Sequence, residues 1–306
     1  MPIRRNDERS ADAQRLAAGL YVVPTPIGNL EDITLRALRV LRQADLIACE
    51  DTRHTQKLLN HFGITTPTQS YHQHNEAGRA QDLVERIGGG GSVALVSDAG
   101  MPGISDPGAL LIQAAVERRL NVVAIPGPSA LVTALVASGL PTERFHFVGF
   151  LPARSGERRN MLEELANITD TLIFYEAPHR IVEMLLDLEN QFGSDRQVVI
   201  ARELTKVHEE FLRGTAAELA KELAARATTK GEITLVVSGK SERQPMAGAK
   251  ADLVARIREL MVSQSLEERD ALKRAAREFG LSKSETYREW QRRKKSGLVS
   301  GRPTRP

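Results

Sequence analysis

A single cysteine, Cys49, stands among 306 residues. No intramolecular disulfide can form, and no cysteine-based zinc site can be built within one chain. That suits a reducing compartment, and a cytoplasmic location is expected. Aromatic residues make up only 4% of the chain, so the core has to be assembled from Leu, Val, Ile and Ala. No apolar run approaches the roughly 20 residues of a membrane span, so no membrane partner is expected. The opening MPIRRNDERSADAQR is polar and lacks the apolar core of a signal peptide. Residues 1–18 therefore read as a disordered tail. Two phosphate-binding signatures are also missing. There is no GxGxxG, and the four glycines Gly88–Gly91 lack the Lys-Ser/Thr of a nucleotide-binding P-loop.

What is present is enough apolar residue, 41%, for two packed domains of ordinary size. The net charge of +3 hides an asymmetry: Pro245–Pro306 carries 15 Lys/Arg against 8 Asp/Glu, a balance of +7, which leaves the preceding chain at −4. A basic tail on a mildly acidic body points to a polyanionic partner, or to a solvated helical surface.

Apolar runs and helical spacings alternate through the first half. Strands are expected at Leu20–Val23, Leu46–Cys49, Gln69–His72, Val93–Val96 and Val122–Ile125. Helices are expected at Thr34–Ala44, Lys57–Phe62, Ala77–Ile87, Pro107–Arg119 and Ala130–Ser138. This βαβα order predicts a mostly parallel sheet covered by helices. Three strand ends carry proline- or glycine-rich loops, after Val23, Val96 and Ile125, and these converge if their strands are neighbours. The richest is SVALVSDAGMPGISDP, Ser92–Pro107. There Gly100 and Gly103 allow a ligand to approach the backbone, Asp98 places a carboxylate at the strand end, and Ser105 or Asp106 reads as the cap of a helix with Pro107 in its first turn. The sequence is equally compatible with an ordinary strand–helix connection.

A junction at Gly139–Pro141 opens a second αβ half, with strands at Phe145–Gly149, Leu172–Tyr175, Val198–Ala201 and Ile233–Val237, and helices at Glu157–Asn167, up to Asn190, and at Ala216–Arg226. Ser238–Gly248 reads as a linker. Helices at Ala251–Ser263, Leu266–Phe279 and Lys283–Lys295 follow, in a helix–turn–helix outline shared by small nucleic-acid-binding modules and by helical hairpins generally. Tyr287 and Trp290 could stack on bases or pack. Two polar groups stand at strand ends: Glu50, Asp51 and His54, and then Glu176, Arg202, Glu203, Lys206 and His208. They could do chemistry or pair as salt bridges. His72 and His74 on one strand face, with Glu76, lack a third ligand at a recognised spacing, and no metal is expected.

The segments PTPIGNLEDITLRAL, ACEDTRHT, YHQHNE, SDAGMPGISDPG, IPGPSALVTAL, YEAPHR, ARELTKVHEE and KGEITLVV, in this order between about Leu20 and Val237, resemble the ribosomal RNA small-subunit methyltransferase I family of the tetrapyrrole-methylase fold. Met101 and Gly103 depart from the family pattern, Met101 replacing a hydroxyl. The resemblance implies a two-domain α/β fold: a mostly parallel N-terminal sheet (19–140), a second α/β domain (141–240), and a linker with a small, basic, RNA-binding helical module (241–306). It implies S-adenosylmethionine as methyl donor, bound in the cleft between domains, and transfer to the ribose 2′-oxygen of a decoding-centre cytidine in 16S rRNA. Partners would be that RNA or the small ribosomal subunit, and a second copy in a homodimer. Cofactor-binding positions carried over are Pro26, Gly28, Asp98, Gly100, Ile104, Ser105, Ser129, Ala130, Tyr175, Glu176, Leu204 and Thr234. Glu50, Arg202 and Lys206 are singled out for the transfer step, with none identified as the base. Two other functions compete. A tetrapyrrole or corrin methyltransferase fits poorly with the basic tail and with YHQHNE and ARELTKVHEE. A non-catalytic RNA-binding assembly protein fits poorly with the intact glycine and proline loops.

Overall fold

The computed structural model describes residues 15–240, 247–263, 266–279 and 283–295. The chain forms two compact units, residues 1–240 and 241–306. The first unit begins with β1 (Gly19–Val22), α1 (Leu35–Gln43), β2 (Leu46–Cys49), α2 (Thr52–His61), β3 (Thr68–Ser70), α3 (Glu76–Gly88), β4 (Ser92–Val96), α4 (Ala109–Glu117), β5 (Val122–Ala124) and α5 (Ala130–Ser138). All five strands are parallel, in the order β3-β2-β4-β1-β5. The central strands are buried along their whole length, which is why they read as unbroken apolar runs. Alternate residues feed two cores. Tyr21, Ile47, Ala94 and Val96 pack on α1, while Leu20, Ala48, Val93 and Leu95 pack on α3 and α4.

The chain then runs through β6 (Phe145–Phe150), α6 (Ser155–Leu165), β7 (Thr171–Glu176), α7 (Ile181–Phe192), β8 (Gln197–Arg202), β9 (Glu210–Thr215), α8 (Ala216–Ala224) and β10 (Ile233–Val237). Their sheet has the order β6-β7-β10-β8-β9; β6 and β7 are parallel, and the other pairs antiparallel. One face packs on α6, α7 and α8. The other receives α5: Leu131, Ala134 and Leu135 pack with Ile173, Val199, Ala201 and Val236. Helix α5 is apolar nearly all round, yet only the face bearing Leu131, Ala134 and Leu135 is buried; Val132 and Val136 on the other are exposed. Its C-terminal carbonyls are capped from the second sheet, Arg213 Nη2 donating to Ala137 O at 2.7 Å. Beneath α6, the Arg158 guanidinium is 2% exposed and donates through Nε to Asp187 Oδ2 on α7 at 2.7 Å.

Several expectations are corrected. Helix α2 starts at Thr52, five residues earlier than expected, because the Asp51 side chain caps it, accepting from Arg53 N at 2.8 Å. Strand β3 stops at Ser70, and His72 enters a turn whose backbone N–H donates to Asn75 Oδ1 at 2.9 Å. His72 and His74 therefore share no strand face; their rings meet edge-on at 5.9 Å. Neither Ser105 nor Asp106 caps α4. Gly108, at φ +139°, precedes that helix, and Gly103 at φ +82° folds residues 101–108 into a tight turn. Strand β9 was not expected at all. It is a half-buried edge strand carrying Glu210 and Arg213, and its apolar signal is weak. The N-terminal tail is outside the described residues as far as 14, and Arg15 pairs with Asp45 at 2.8 Å. The linker is shorter than read: Lys240 N donates to Ile168 O at 2.7 Å, and α9 begins at Ala247.

The second unit consists of α9 (Ala247–Ser263), α10 (Glu268–Glu278) and α11 (Lys283–Lys295) around Leu253, Ile257, Leu260, Ala271 and Ala275. Trp290 is buried in that core, whereas Tyr287 is exposed. No helix among the described residues is long and apolar enough to cross a membrane.

Candidate active site

The ends of β4, β1 and β5 lie side by side, so the three loops expected to converge do so. Thr25 and Gly100 clamp two of them with reciprocal backbone hydrogen bonds, Thr25 N to Gly100 O at 2.9 Å and Gly100 N to Thr25 O at 3.0 Å. Beyond these strand ends, against β7 and β10 of the second sheet, is a cavity of about 480 Å³. An opening outside the carboxyl ends of parallel strands is where open α/β sheets take ligands.

Of the residues named from the sequence, Glu50, Asp98, Gly100, Ile104, Ser105, Ser129, Ala130, Tyr175, Glu176, Leu204 and Thr234 line this cavity. Pro26, Gly28, Arg202 and Lys206 are not on its wall. Sequence reasoning missed three wall residues of consequence: Asp106, Phe150 and Glu232. Asp106 was hidden by its resemblance to a helix cap; it is freed for the wall because α4 starts three residues later. Met101, which departs from the family pattern, also lines the cavity.

The lining is chemically one-sided. Glu50, Asp98, Asp106, Glu176 and Glu232 face it, and among the described residues no Lys, Arg or His does. The remaining wall is largely apolar, from Ile27, Met101, Ile104, Leu204 and Ile233. Burial pushes the Asp106 carboxyl up to about 6, reinforced by Glu50. Burial likewise raises Glu50, with Asp98 adding to the rise. Glu176 is raised by burial against the opposing pull of the Ala177 N–H, which donates to its Oε1 at 2.7 Å, and of Arg180. Carboxylates gathered around one cavity are an attractive field for a cation. One wall has the opposite sign. Ser129 precedes α5 without a side-chain cap, and Ser129 and Ala130 line the cavity, so the partial positive charge of this helix end is a place for an anionic group. Burial pushes the Tyr175 phenol, which a hydrogen bond ties to the Leu131 backbone at this helix end, up to about 12.

The cationic residues of ARELTKVHEE are held by acids. Arg202 Nε donates to Glu210 Oε2 at 2.9 Å. Lys206 Nζ donates to Glu203 Oε1 at 2.7 Å and to Glu232 Oε2 at 3.1 Å. This loop bends through two left-handed non-glycine residues, Glu203 at φ +52° and Thr205 at φ +64°, a cost of about 1–3 kcal/mol each that surrounding contacts must offset. The contacts are with the loop after β1: Thr205 Oγ1 accepts from Asn29 N at 3.0 Å, and the Lys206 side chain lies so close to Gly28 that a Cβ there would collide with it. The loop thus clasps the proline–glycine loop of the first sheet and sets Leu204 in the cavity wall.

The sequence profile described as Tetrapyrrole (Corrin/Porphyrin) Methylases matches residues 19–220. A relative from Halalkalibacterium halodurans named ribosomal RNA small subunit methyltransferase I is 48% identical over 88% of this chain and 93% of its own length. One of the same name from Synechocystis sp. is 47% identical over 88% of this chain and 95% of its own length. A solved structure of diphthine synthase, 18% identical, superposes with a TM-score of 0.57 over 72% of this chain and 89% of that one, and shares the fold alone. With that profile over residues 19–220 and two relatives nearly half identical over 88% of the chain, the chain belongs to the ribosomal RNA small subunit methyltransferase I family of the tetrapyrrole methylases.

Proposed function

We propose that this chain methylates 16S rRNA, moving a methyl group from S-adenosylmethionine to the ribose 2′-oxygen of a decoding-centre cytidine. The observation that carries the donor is the acidic cavity. A sulfonium and an ammonium suit its five carboxylates, an adenine suits its apolar wall, and a carboxylate suits the bare end of α5. The names of the relatives support the RNA acceptor. When bound, the donor supplies a methyl group already activated by the positive sulfur.

The chain's own residues then have two tasks. The first is alignment, which contributes up to about 7–11 kcal/mol in well-oriented systems. The loops ending β1, β4 and β5 form one side, and the Arg202–Glu209 clasp holds Leu204 on the other, so Arg202 and Lys206 serve as positioning residues. The second task is to accept the 2′-hydroxyl proton. Glu50 and Asp106 are on the cavity wall, and burial makes both more basic than an ordinary carboxylate, as an acceptor working near neutral pH needs. The protein acts in the cytoplasm as a homodimer. Val132 and Val136, one turn apart on α5 and both exposed in the single chain, support a second copy there.

Methyl transfer from tritiated donor to small ribosomal subunits, naked 16S rRNA and uroporphyrinogen tests the reading. Label is expected in RNA and in fragments that resist alkaline hydrolysis, since a 2′-O-methyl group removes the attacking hydroxyl. Label in uroporphyrinogen, or in alkali-labile nucleotides, overturns it.

Two further results are expected. Affinity for S-adenosylmethionine is full above pH 6 and declines below it, because Asp106, at about 6, must give up its proton to face a cation. The decline approaches tenfold per pH unit, and calorimetry in the same buffers with Asp106→Asn gives a flatter curve. The second concerns the module at 241–306. Deleting Pro245–Pro306 leaves donor affinity intact, weakens rRNA binding, and lowers the log–log salt slope by roughly 0.7–0.9 for each phosphate contact removed. An unchanged slope in a folded truncation excludes the anchoring role.

A further inference from the structure

The direction in which Phe150 points follows from one irregularity in the second sheet. Strand β6 pairs with β7 so that Phe147 is opposite Ile173, Gly149 opposite Phe174 and Phe150 opposite Tyr175. Val148 is the extra residue of a bulge. In an unbroken strand, residues 147 and 150 point to opposite faces. One inserted residue reverses that parity, so both phenylalanines fall on the face of Ile173 and Tyr175. The bulge is possible because Gly149 takes φ +78°, and a Cβ there would press on Ser105 Oγ at 3.3 Å. Three rings gather as a result: Phe147 stands edge-on to Tyr175 with centroids 5.0 Å apart, and Phe150 is tilted against Tyr175 at 5.6 Å. With aromatics at 4% of the chain, this is a concentration at one place. Phe147 and Tyr175 are half-buried supports. Phe150 is 55% exposed and lines the cavity.

Apart from the end of α5, this opening disfavours a phosphate. Five carboxylates face the cavity, with no cation on its wall among the described residues. An RNA substrate can present an uncharged surface here only through a base or a sugar edge. We infer that Phe150 is the stacking platform for the base of the nucleotide being methylated, so that this nucleotide enters base and ribose first and its phosphates stay outside. The inference rests on the rRNA-methylation reading and adds to it a residue and a mode of entry. The target base must leave its neighbours' stack, as bases do for enzymes that act on a single nucleotide. Stacking is tolerant of base identity because every base has a π-face, so Phe150 supplies affinity and geometry, and the choice of cytosine comes from elsewhere.

The test uses the full chain with Phe150→Ala, Phe150→Leu and Phe150→Trp, reading the KM for small subunits or 16S rRNA, the S-adenosylmethionine Kd by calorimetry, and oligomeric state by light scattering. Ala and Leu are expected to raise the RNA KM roughly tenfold or more, Trp to restore it, and all three to leave the donor Kd and the assembly unchanged. A leucine variant as good as wild type reduces the role to apolar contact and overturns the proposal. So does a donor Kd that weakens in step with methylation, which makes Phe150 a cofactor wall, or a change in assembly, which makes it an interface between copies. Failure of the wild-type chain to methylate rRNA at all is a different outcome: it removes the parent reading and this one with it.

Discussion

Gly100→Val is expected to lose S-adenosylmethionine binding by roughly a hundredfold or more. Two effects combine. Gly100 has φ +81°, a region in which a β-branched residue is a strained outlier. Its backbone cannot relax freely, since both its N–H and its C=O are engaged by Thr25. A Cβ would stand 3.4 Å from Ile27 Cγ2, an ordinary contact, and the two methyl groups beyond it have no room except near the Ile27 side chain or in the cavity. Calorimetry measures the loss directly, and Gly100→Ala gives a milder version of it. Undiminished affinity in a folded Gly100→Val protein removes this loop from the donor site.

Asp187→Ala is expected to be the most damaging substitution away from the cavity. It takes the principal partner from Arg158, whose side chain is 2% exposed, and leaves Glu183, at 3.5 Å and 71% exposed, as the one carboxylate paired with it, beside the Ala153 carbonyl at 3.4 Å. Removing one member of a buried pair costs about 3–5 kcal/mol, because the other charge stays buried without compensation. The same removal takes away an ion pair that joins α6 to α7. A denaturant midpoint shifted by that amount is the expected result, and replacing both Arg158 and Asp187 by apolar residues of similar volume recovers much of it. A single-variant loss below about 1 kcal/mol refutes the assignment.

The sequence discloses these two sites unequally, for physical reasons. Strands β1, β2 and β4 are legible because burial on both faces writes an unbroken apolar run. The loop after β4 is legible because glycine and proline have few other uses at a strand end. Strand β9 is not, since an edge strand with Glu210 and Arg213 looks like the polar loop before it. Likewise the charges of Arg202 and Lys206 are visible in the sequence, and so is the local Glu203 that holds Lys206, but Glu210 on β9 and Glu232 just ahead of β10 are brought to them by the sheet. Strand pairing decides that Arg202 faces Glu210. Phe150 is the clearest case. Its apolar character is plain, but a one-residue bulge sets the face it occupies, and no periodicity in β6 announces it. Glu232 stands just ahead of a buried strand, where a charged residue ordinarily marks no more than the edge of the core.

The acidic lining has a consequence for turnover. The carboxylates of Glu50, Asp98, Asp106, Glu176 and Glu232 attract a ligand in proportion to its positive charge, and methyl transfer removes one unit of that charge when the sulfonium becomes a neutral sulfide. On the proposed reading, these carboxylates would hold the spent product less strongly than the donor without moving a loop. Exchange of spent for fresh donor would then follow from the electrostatics of the lining alone.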